Sequence, residues 1–341
     1  MNFFAQPLSN FPEALRIGPL RLEGRAFLAP MAGITDCGMR RLAMRFGAAL
    51  TVTEMLDATF YTDGDPEALL RAEGEGVAPH VVQIAGHSPG PLAEAARIAE
   101  ASGASMIDIN MGCPAKRVTG GAAGCALMRD LDHATGLVRA VISTVSVPVS
   151  VKMRLGWDEA SRNAPELARR AEAEGAAMIT VHGRTRAQFY NGKADWAAIR
   201  EVRDAISIPL VANGDCKNAD DAVAMREASG ADAIMIGRAA LGQPWLIGQI
   251  LDHLAGRPMR PAPPMHERLD AAREHYRTLL SLFGIEKGSR HARKHLAAYA
   301  QGSSHAEAAT LRGKMLTSEI PDEVEALLAA LLAEEPVAGT A

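Results

Sequence analysis

Residues 108–114 read Asp-Ile-Asn-Met-Gly-Cys-Pro, directly behind the apolar run 104–107. An amide, Asn110, and a thiol, Cys113, therefore stand where a buried strand has to stop. Gly112 permits a sharp turn and Pro114 forbids further strand pairing. In parallel α/β proteins the carboxyl ends of strands are where chemistry is placed. A cysteine thiol has a reference pKa of about 8.5, so an unperturbed one is mostly protonated near neutrality and can serve as an acid. A lone buried cysteine is otherwise a small inert hydrophobe. Its company decides between the two.

That company is polar. Apolar runs elsewhere in the chain end in Pro30-Met31-Ala32, Glu54, Gln83, Lys152 with Arg154, His182 with Arg184, Asn213-Gly214-Asp215 and Gly237-Arg238. Burying so many polar groups costs free energy unless they serve one another or a ligand. The last two ends are Gly-containing turns, where backbone N–H groups can approach a phosphate and Arg238 adds a fork of donors. No Gly-x-Gly-x-x-Gly turn follows any strand, and Gly-x-x-x-x-Gly-Lys is absent, which argues against a Rossmann site and a P-loop. A phosphate-bearing cofactor, a buried Lys152 and a nearby thiol together suggest flavin chemistry. A lysine beside the pyrimidine end of an isoalloxazine stabilises the negative charge of its reduced form. His182 is a candidate flavin or phosphate ligand; the alternative is a core histidine held by backbone carbonyls. The segment Gly120-Gly121-Ala122-Ala123-Gly124 reads as a mobile lid over the thiol loop, or else as an ordinary flexible loop.

The elements that position these residues alternate. Strands are expected at Ala26–Met31, Leu50–Thr53, Val81–Ile84, Met106–Asn110, Val149–Met153, Met178–His182, Leu210–Asn213 and Ala233–Ile236. Helices are expected at Asp36–Phe46, Pro66–Arg71, Pro89–Ala101, Asp132–Val145, Ala164–Glu174, Trp196–Ile206, Asn218–Ser229 and Pro244–Leu254. Leu20–Leu22 and Ala26–Leu28, split by Glu23-Gly24-Arg25, suggest a short hairpin leading into the first strand. Eight strand–helix alternations predict an α/β chain in the form of a (β/α)8 TIM barrel, whose strand ends converge on one polar face. An open doubly wound sheet usually has fewer strands. A Pro-rich linker at 256–264 then gives way to helical spacing alone, with segments at 289–300, 305–315 and 321–332, so a small C-terminal α-helical bundle is expected. The division is 1–255 for the barrel and 256–341 for the helical tail.

Composition bounds the class. The 341 residues are 48% hydrophobic with a net charge of −4, which allows a large core. The four cysteines never form a Cys-x-x-Cys pair, which argues against zinc, an iron–sulfur cluster or a disulfide framework and fits a reducing cytoplasm. No secretory signal or membrane span is read, and no metal or protein partner is expected. Residues 256–315 carry eleven Lys/Arg against five Asp/Glu, whereas 316–341 carry six acids and no Lys or Arg. Such asymmetry hints at a polyanionic partner for the helical tail; a solvated surface is the commoner meaning.

At these residues the chain closely resembles the tRNA-dihydrouridine synthases, most closely their bacterial B-type branch. The resemblance rests on Ala29 to Asp36, Asp108 to Lys116, Lys152 to Trp157, His182 to Arg186, Ala194-Asp195-Trp196, Asn213-Gly214-Asp215 and Ile236-Gly237-Arg238. It implies an oxidoreductase whose barrel binds FMN, reduced by NADPH, and whose helical tail holds tRNA. Cys113 would donate the proton to C5 of a uracil that takes hydride at C6. Pro30, Met31, Ala32, Gln83, Lys152, His182, Asn213, Gly214, Asp215, Gly237 and Arg238 would line the FMN. Asn110 would hold the uracil, which must leave its stack, and Arg184 and Arg186 would face RNA. Lys287, Arg290, Arg293 and Lys294 form a basic stripe on the expected tail helix, if that helix starts early. A flavin barrel acting on a free pyrimidine is the rival within the fold; it has no need of a basic tail. A non-catalytic RNA-binding protein is the rival outside it; it should have lost the thiol or the flavin residues.

Overall fold

The computed structural model describes residues 14–333. The first thirteen residues of the expected barrel unit and the last eight of the acidic tail lie outside the described residues.

A two-stranded antiparallel hairpin opens the chain, β1 (Leu15–Ile17) and β2 (Leu20–Leu22). Gly18, with φ +56°, makes its turn. This corrects the sequence expectation, which paired Leu20–Leu22 with Ala26–Leu28. The latter is β3, the first strand of a parallel sheet. The others are β4 (Leu50–Val52), β5 (Leu56–Asp57), β6 (His80–Ala85), β7 (Met106–Met111), β8 (Val149–Arg154), β9 (Met178–His182), β10 (Leu210–Asn213) and β11 (Ala233–Ile236). The order β4-β3-β11-β10-β9-β8-β7-β6 closes through a β4–β6 pairing, giving an eight-stranded barrel. Helices follow the strands around it, so the molecule is a (β/α)8 TIM barrel with C-terminal helices. Two departures bear on the site. Strand β3 stops at Leu28 rather than Met31, leaving residues 29–36 as a loop. The second barrel strand is interrupted at 53–55 and resumes as β5, also paired with β6.

The barrel's two ends differ. Leu15, Ile17 and Leu22 of the hairpin join Phe27, Leu50, Val81, Met106, Met178, Val211 and Ala233 in one buried cluster. These are residues at or near the strands' amino ends, so the hairpin plugs that mouth. Polar chemistry is left to the carboxyl end. The larger core lies between strands and outer helices, where apolar stripes such as Leu167, Ala168 and Ala171 of the helix Ala164–Ala173 face inward.

Small elements fill places expected as loops. Ala58–Thr62 is a helix capped by Asp57. Lys116–Gly120 is a short helix and Gly124–Arg129 a 3₁₀ turn, so the two ends of the expected lid lie in these elements and 121–123 link them. The segment 196–206 splits into a 3₁₀ turn and the helix Arg200–Ala205.

Beyond Leu254 the chain is helical. Met265–Tyr299 is continuous apart from Gly284, whose φ of +74° breaks it into two arms. The second arm therefore starts well before Ser289 and includes Lys287. Helices Ala308–Thr317 and Pro321–Leu331 complete the bundle. Its apolar core includes Tyr276, Leu279, Leu296 and Leu328, and also Leu42 and Trp245 from the barrel, so the two units share packing.

Candidate active site

The strand registers explain how the polar residues meet. Gln83, Asp108 and Ser150 lie side by side on β6, β7 and β8, and Asn110, Lys152 and Thr180 form the next row toward the carboxyl end. Successive side chains alternate faces along a strand, so Asp108 and Asn110 share a face, as do Ser150 and Lys152.

A hydrogen-bond chain runs through these rows to the thiol loop. Ser150 Oγ donates to Asp108 Oδ1, and Gln83 Nε2 donates to Asp108 Oδ2 at 2.6 Å. Asn110 Nδ2 donates to Gln83 Oε1 at 2.8 Å. Asn110 Oδ1 then accepts from the backbone N–H groups of Gly112 (3.2 Å) and Cys113 (2.9 Å). Burial pushes the Asp108 carboxyl up to about 6, despite the hydrogen bonds from Gln83 and Ser150 and the nearby Lys152, which oppose it. The side-chain oxygen of Asn110, the residue expected to hold the uracil, is thus committed to shaping the loop that carries Cys113. Gly112 lets the loop approach β8 closely, since a Cβ would come 3.2 Å from the Met153 carbonyl carbon and push the strand back slightly. Arg154 ties the same loop down, its Nε donating to Gly112 O at 2.9 Å and its Nη1 to Thr185 O and Phe189 O. Cys113 is partly exposed, whereas Cys125 is buried and its thiol is pushed up to about 12 by burial.

Around the last four strands the charge is positive. Lys152 is half-buried with its ammonium 3.2 Å from Asn213 Oδ1, and desolvation brings it down to about 8. His182 is held well below the usual imidazole range by burial and by Lys152, Arg154, Arg184 and Arg238, and its buried Nδ1 has no hydrogen-bond partner. Asn213 Nδ2 donates to Met235 O at 2.8 Å, joining β10 to β11. Gly214 has φ +122°, and a Cβ there would sit 2.8 Å from Ala194 Cβ and 3.4 Å from His182 Nε2. A Cβ on Gly237 would lie 3.8 Å from Met31 Sδ, bringing the first strand's loop to the same place. An orphaned imidazole nitrogen, a compressed glycine turn and several cations fit a flavin nucleotide, which is anionic at its phosphate and, when reduced, at its ring.

The arginines differ from expectation. Arg184 does not face outward: it is 2% exposed. Its guanidinium grips Asp215 with two bonds (3.0 and 2.6 Å) and donates to Asn191 O and Gly192 O. The pairing fixes the turn after β10, whose Asp215 has φ +58°. Burial would raise Asp215, but Arg184 and the Ala194 N–H outweigh it and hold the carboxyl below its usual range. Arg186 is half-buried between the rings of Trp157 (4.5 Å) and Phe189 (4.8 Å). Arg238 is exposed and lies over Tyr190, with Asp215 at 3.8 Å. Lys287, Arg290, Arg293 and Lys294 are all exposed, but Lys287 pairs with Glu67 of the barrel at 2.7 Å.

Asp108, Ser150 and Tyr190 were missed in the sequence. Asp108 had a signal, since it lies two residues before Asn110. Ser150 and Tyr190 had none: only strand register places Ser150 beside Asp108, and only loop folding brings exposed Tyr190 between Arg154 and Arg238.

Residues 27–335 match the dihydrouridine synthase (Dus) family. The chain is 51% identical over 310 residues to a probable tRNA-dihydrouridine synthase of Rhizobium leguminosarum bv. phaseoli, covering 91% of this chain and 95% of that protein. It is 44% identical over 316 residues to tRNA-dihydrouridine synthase B of Xanthomonas axonopodis pv. citri (strain 306), covering 92% and 94%. A solved histamine dehydrogenase from Rhizobium sp. 4-9 aligns with TM-score 0.56 at 14% identity over 79% of this chain, which spans about half (51%) of that one; the likeness is one of fold.

Proposed function

The chain belongs to the dihydrouridine synthase family, and from that premise we propose that it reduces uridine in tRNA to 5,6-dihydrouridine, with FMN as its flavin and NADPH as reductant. The single observation that carries the reading is the Ser150–Asp108–Gln83–Asn110 chain ending on the Cys113 N–H. It fixes a partly exposed thiol on the barrel face where Lys152 and His182 gather.

Each residue then has a task. Lys152, His182 and Asn213 would hold the flavin ring, and the turns at Gly214–Asp215 and Gly237–Arg238 would hold the phosphate. Pro30, Met31, Ala32 and Gln83 would complete the lining that holds the flavin. When bound there, FMN reduced by NADPH would be the source of the hydride for C6 of the uracil. Cys113 delivers its thiol proton to C5 from a loop that Asn110 and Arg154 keep still. Asn110 retains one Nδ2 hydrogen for the uracil, since only one is used by Gln83. Tyr190 and the Arg186 cluster form the rim, Arg184 pins the phosphate turn, and the C-terminal helices hold tRNA through Arg290, Arg293 and Lys294. Residues 1–255 are thus the flavin barrel and 256–341 the tRNA-binding unit. Among the described residues no helix is long and apolar enough to cross a membrane; with tRNA as substrate, the site of action is the cytoplasm.

The test is direct. The purified protein should be yellow with flavin bands, and with NADPH and unmodified tRNA it should form dihydrouridine detectable by mass spectrometry. A colourless protein, or a yellow one that acts on free pyrimidines and leaves tRNA untouched, removes the proposal.

A further inference from the structure

One buried polar cluster lies outside the site. Asp36, His275 and His295 are 5%, 1% and 2% exposed. Asp36 comes from the barrel, at the end of the loop after β3. Its Oδ1 accepts from the Met39 N–H and so caps the helix Cys37–Arg45. His275 sits on the first arm of the broken helix and His295 on the second. His275 Nε2 lies 3.0 and 3.1 Å from the two carboxylate oxygens, and its Nδ1 lies 3.2 Å from the Tyr299 hydroxyl. His295 Nε2 approaches Oδ2 to 3.3 Å without hydrogen-bond geometry, and its ring packs on His275 at 4.3 Å.

The consequence is on either side of the cluster. Upstream, residues 31–35 form a tight turn in which Ile34 and Thr35 donate to Met31 O, and Met31 N–H donates to Thr35 Oγ1 at 2.9 Å. Arg40, in the helix that Asp36 caps, donates to Thr35 O. Gly33 N–H donates to Glu54, which stands in the break of the second barrel strand. Downstream, Lys294 adjoins His295 and reaches back over this turn: a Cβ on Gly33 would lie 2.5 Å from Lys294 Nζ. The cluster therefore joins both arms of the tail to the loop that carries Met31.

We propose that Asp36, His275 and His295 form an interdomain latch that positions Lys294 over the Met31–Thr35 loop, so that the RNA-binding helices meet the barrel mouth in one fixed register. These are positioning residues, and the inference rests on the proposed tRNA activity. The three ligating atoms also lie within 4.8 Å of one another, a spacing a divalent ion tolerates. A hydrogen-bonded latch is favoured, because Asp36 already caps a helix and takes His275, whose other nitrogen meets Tyr299.

The test uses the full-length holoenzyme. Asp36→Asn keeps a good helix cap and removes the charge; His295→Gln is the second variant should the first fail to fold. With flavin content matched to wild type, tRNA KM and tRNA dissociation constant should rise about tenfold, the size of coupling between contacting groups. Reduction of the flavin by NADPH without tRNA should stay within twofold. Combined with Lys294→Ala, Asp36→Asn should add little, because both remove the same cation from its place. Amide exchange at Ile34 and Thr35 should accelerate, a readout independent of turnover. A latch with a merely structural role lowers the melting temperature, leaves KM unmoved and adds fully to Lys294→Ala; that result overturns the proposal. So does one metal ion per chain in wild type that is lost in His295→Gln. A wild-type enzyme inactive on tRNA sinks the functional proposal, whereas normal wild-type activity with unshifted variants sinks the latch alone.

Discussion

Cys113 is the residue on which the proposed chemistry turns, and Cys125 is its control. Cys113→Ala should retain the flavin spectrum but lose dihydrouridine formation by about 10²–10⁴, the usual worth of a positioned acid. Cys125→Ala should remain active, because that thiol is buried and pushed up to about 12. Unchanged dihydrouridine yield from Cys113→Ala would remove the thiol from the mechanism. Gly214 tests the cofactor cradle at the same scale. Gly214→Ala faces a left-handed backbone and a 2.8 Å contact with Ala194. It should cost about 1–3 kcal/mol in stability and release flavin, as read by thermal melting and by absorbance after gel filtration. A variant that keeps its flavin and melts like wild type refutes the cradle.

At the scale of an element, the second arm of the tail helix carries the cationic stripe. Replacing Arg290, Arg293 and Lys294 by Ala should weaken tRNA binding and flatten its dependence on salt, because fewer counterions are released. Lys287→Ala alone should change the slope least, since its ammonium is held by Glu67. Titrating tRNA at several salt concentrations separates these cases, and superimposable lines for the triple variant and wild type would leave the stripe as ordinary surface. The break at Gly284 gives this element its geometry: a left-handed φ of +74° starts the second arm early enough to include Lys287.

Across the whole molecule, buried ionisable groups set a pH dependence of stability. His295 and His80 are each brought from 6.5 to about 4, mainly by burial. Their folded pKa lies below the unfolded one, so their contribution is complete above pH 6.5 and is lost as pH falls toward 4. Asp108 works against them. Its carboxyl is raised from 3.8 to about 6, so it favours the fold at low pH and costs stability as pH rises through that window. His182, also lowered by burial, adds to the two histidines, while Glu54, raised by burial, adds to Asp108; the histidines prevail, and the apoprotein should lose stability between pH 6.5 and 4.5. Urea midpoints measured across that range check it; a flat or rising trend toward acid would contradict it.

Much of the fold was legible in the sequence because its signals are local. Apolar runs of strand length alternating with capped amphipathic helices already predict a (β/α)8 barrel, and the polar strand ends already single out the face proposed to work. The Asn110–Cys113 stretch and the glycine turns at 214 and 237 announce themselves by residue type. What the tertiary structure decided are pairings between distant segments. Arg184 looks like a surface cation in sequence, yet the closing of β9 against β10 buries it on Asp215. The Asn110 side chain looks free, yet β6 lies alongside and engages it through Gln83. Asp36, His275 and His295 are separated by up to 259 positions and meet only because the helical tail folds back onto the first loop. Local spacing fixes which face of an element a residue occupies; only the packing of one element on another fixes what that face meets, and hence whether a charge is free to bind or is spent on structure.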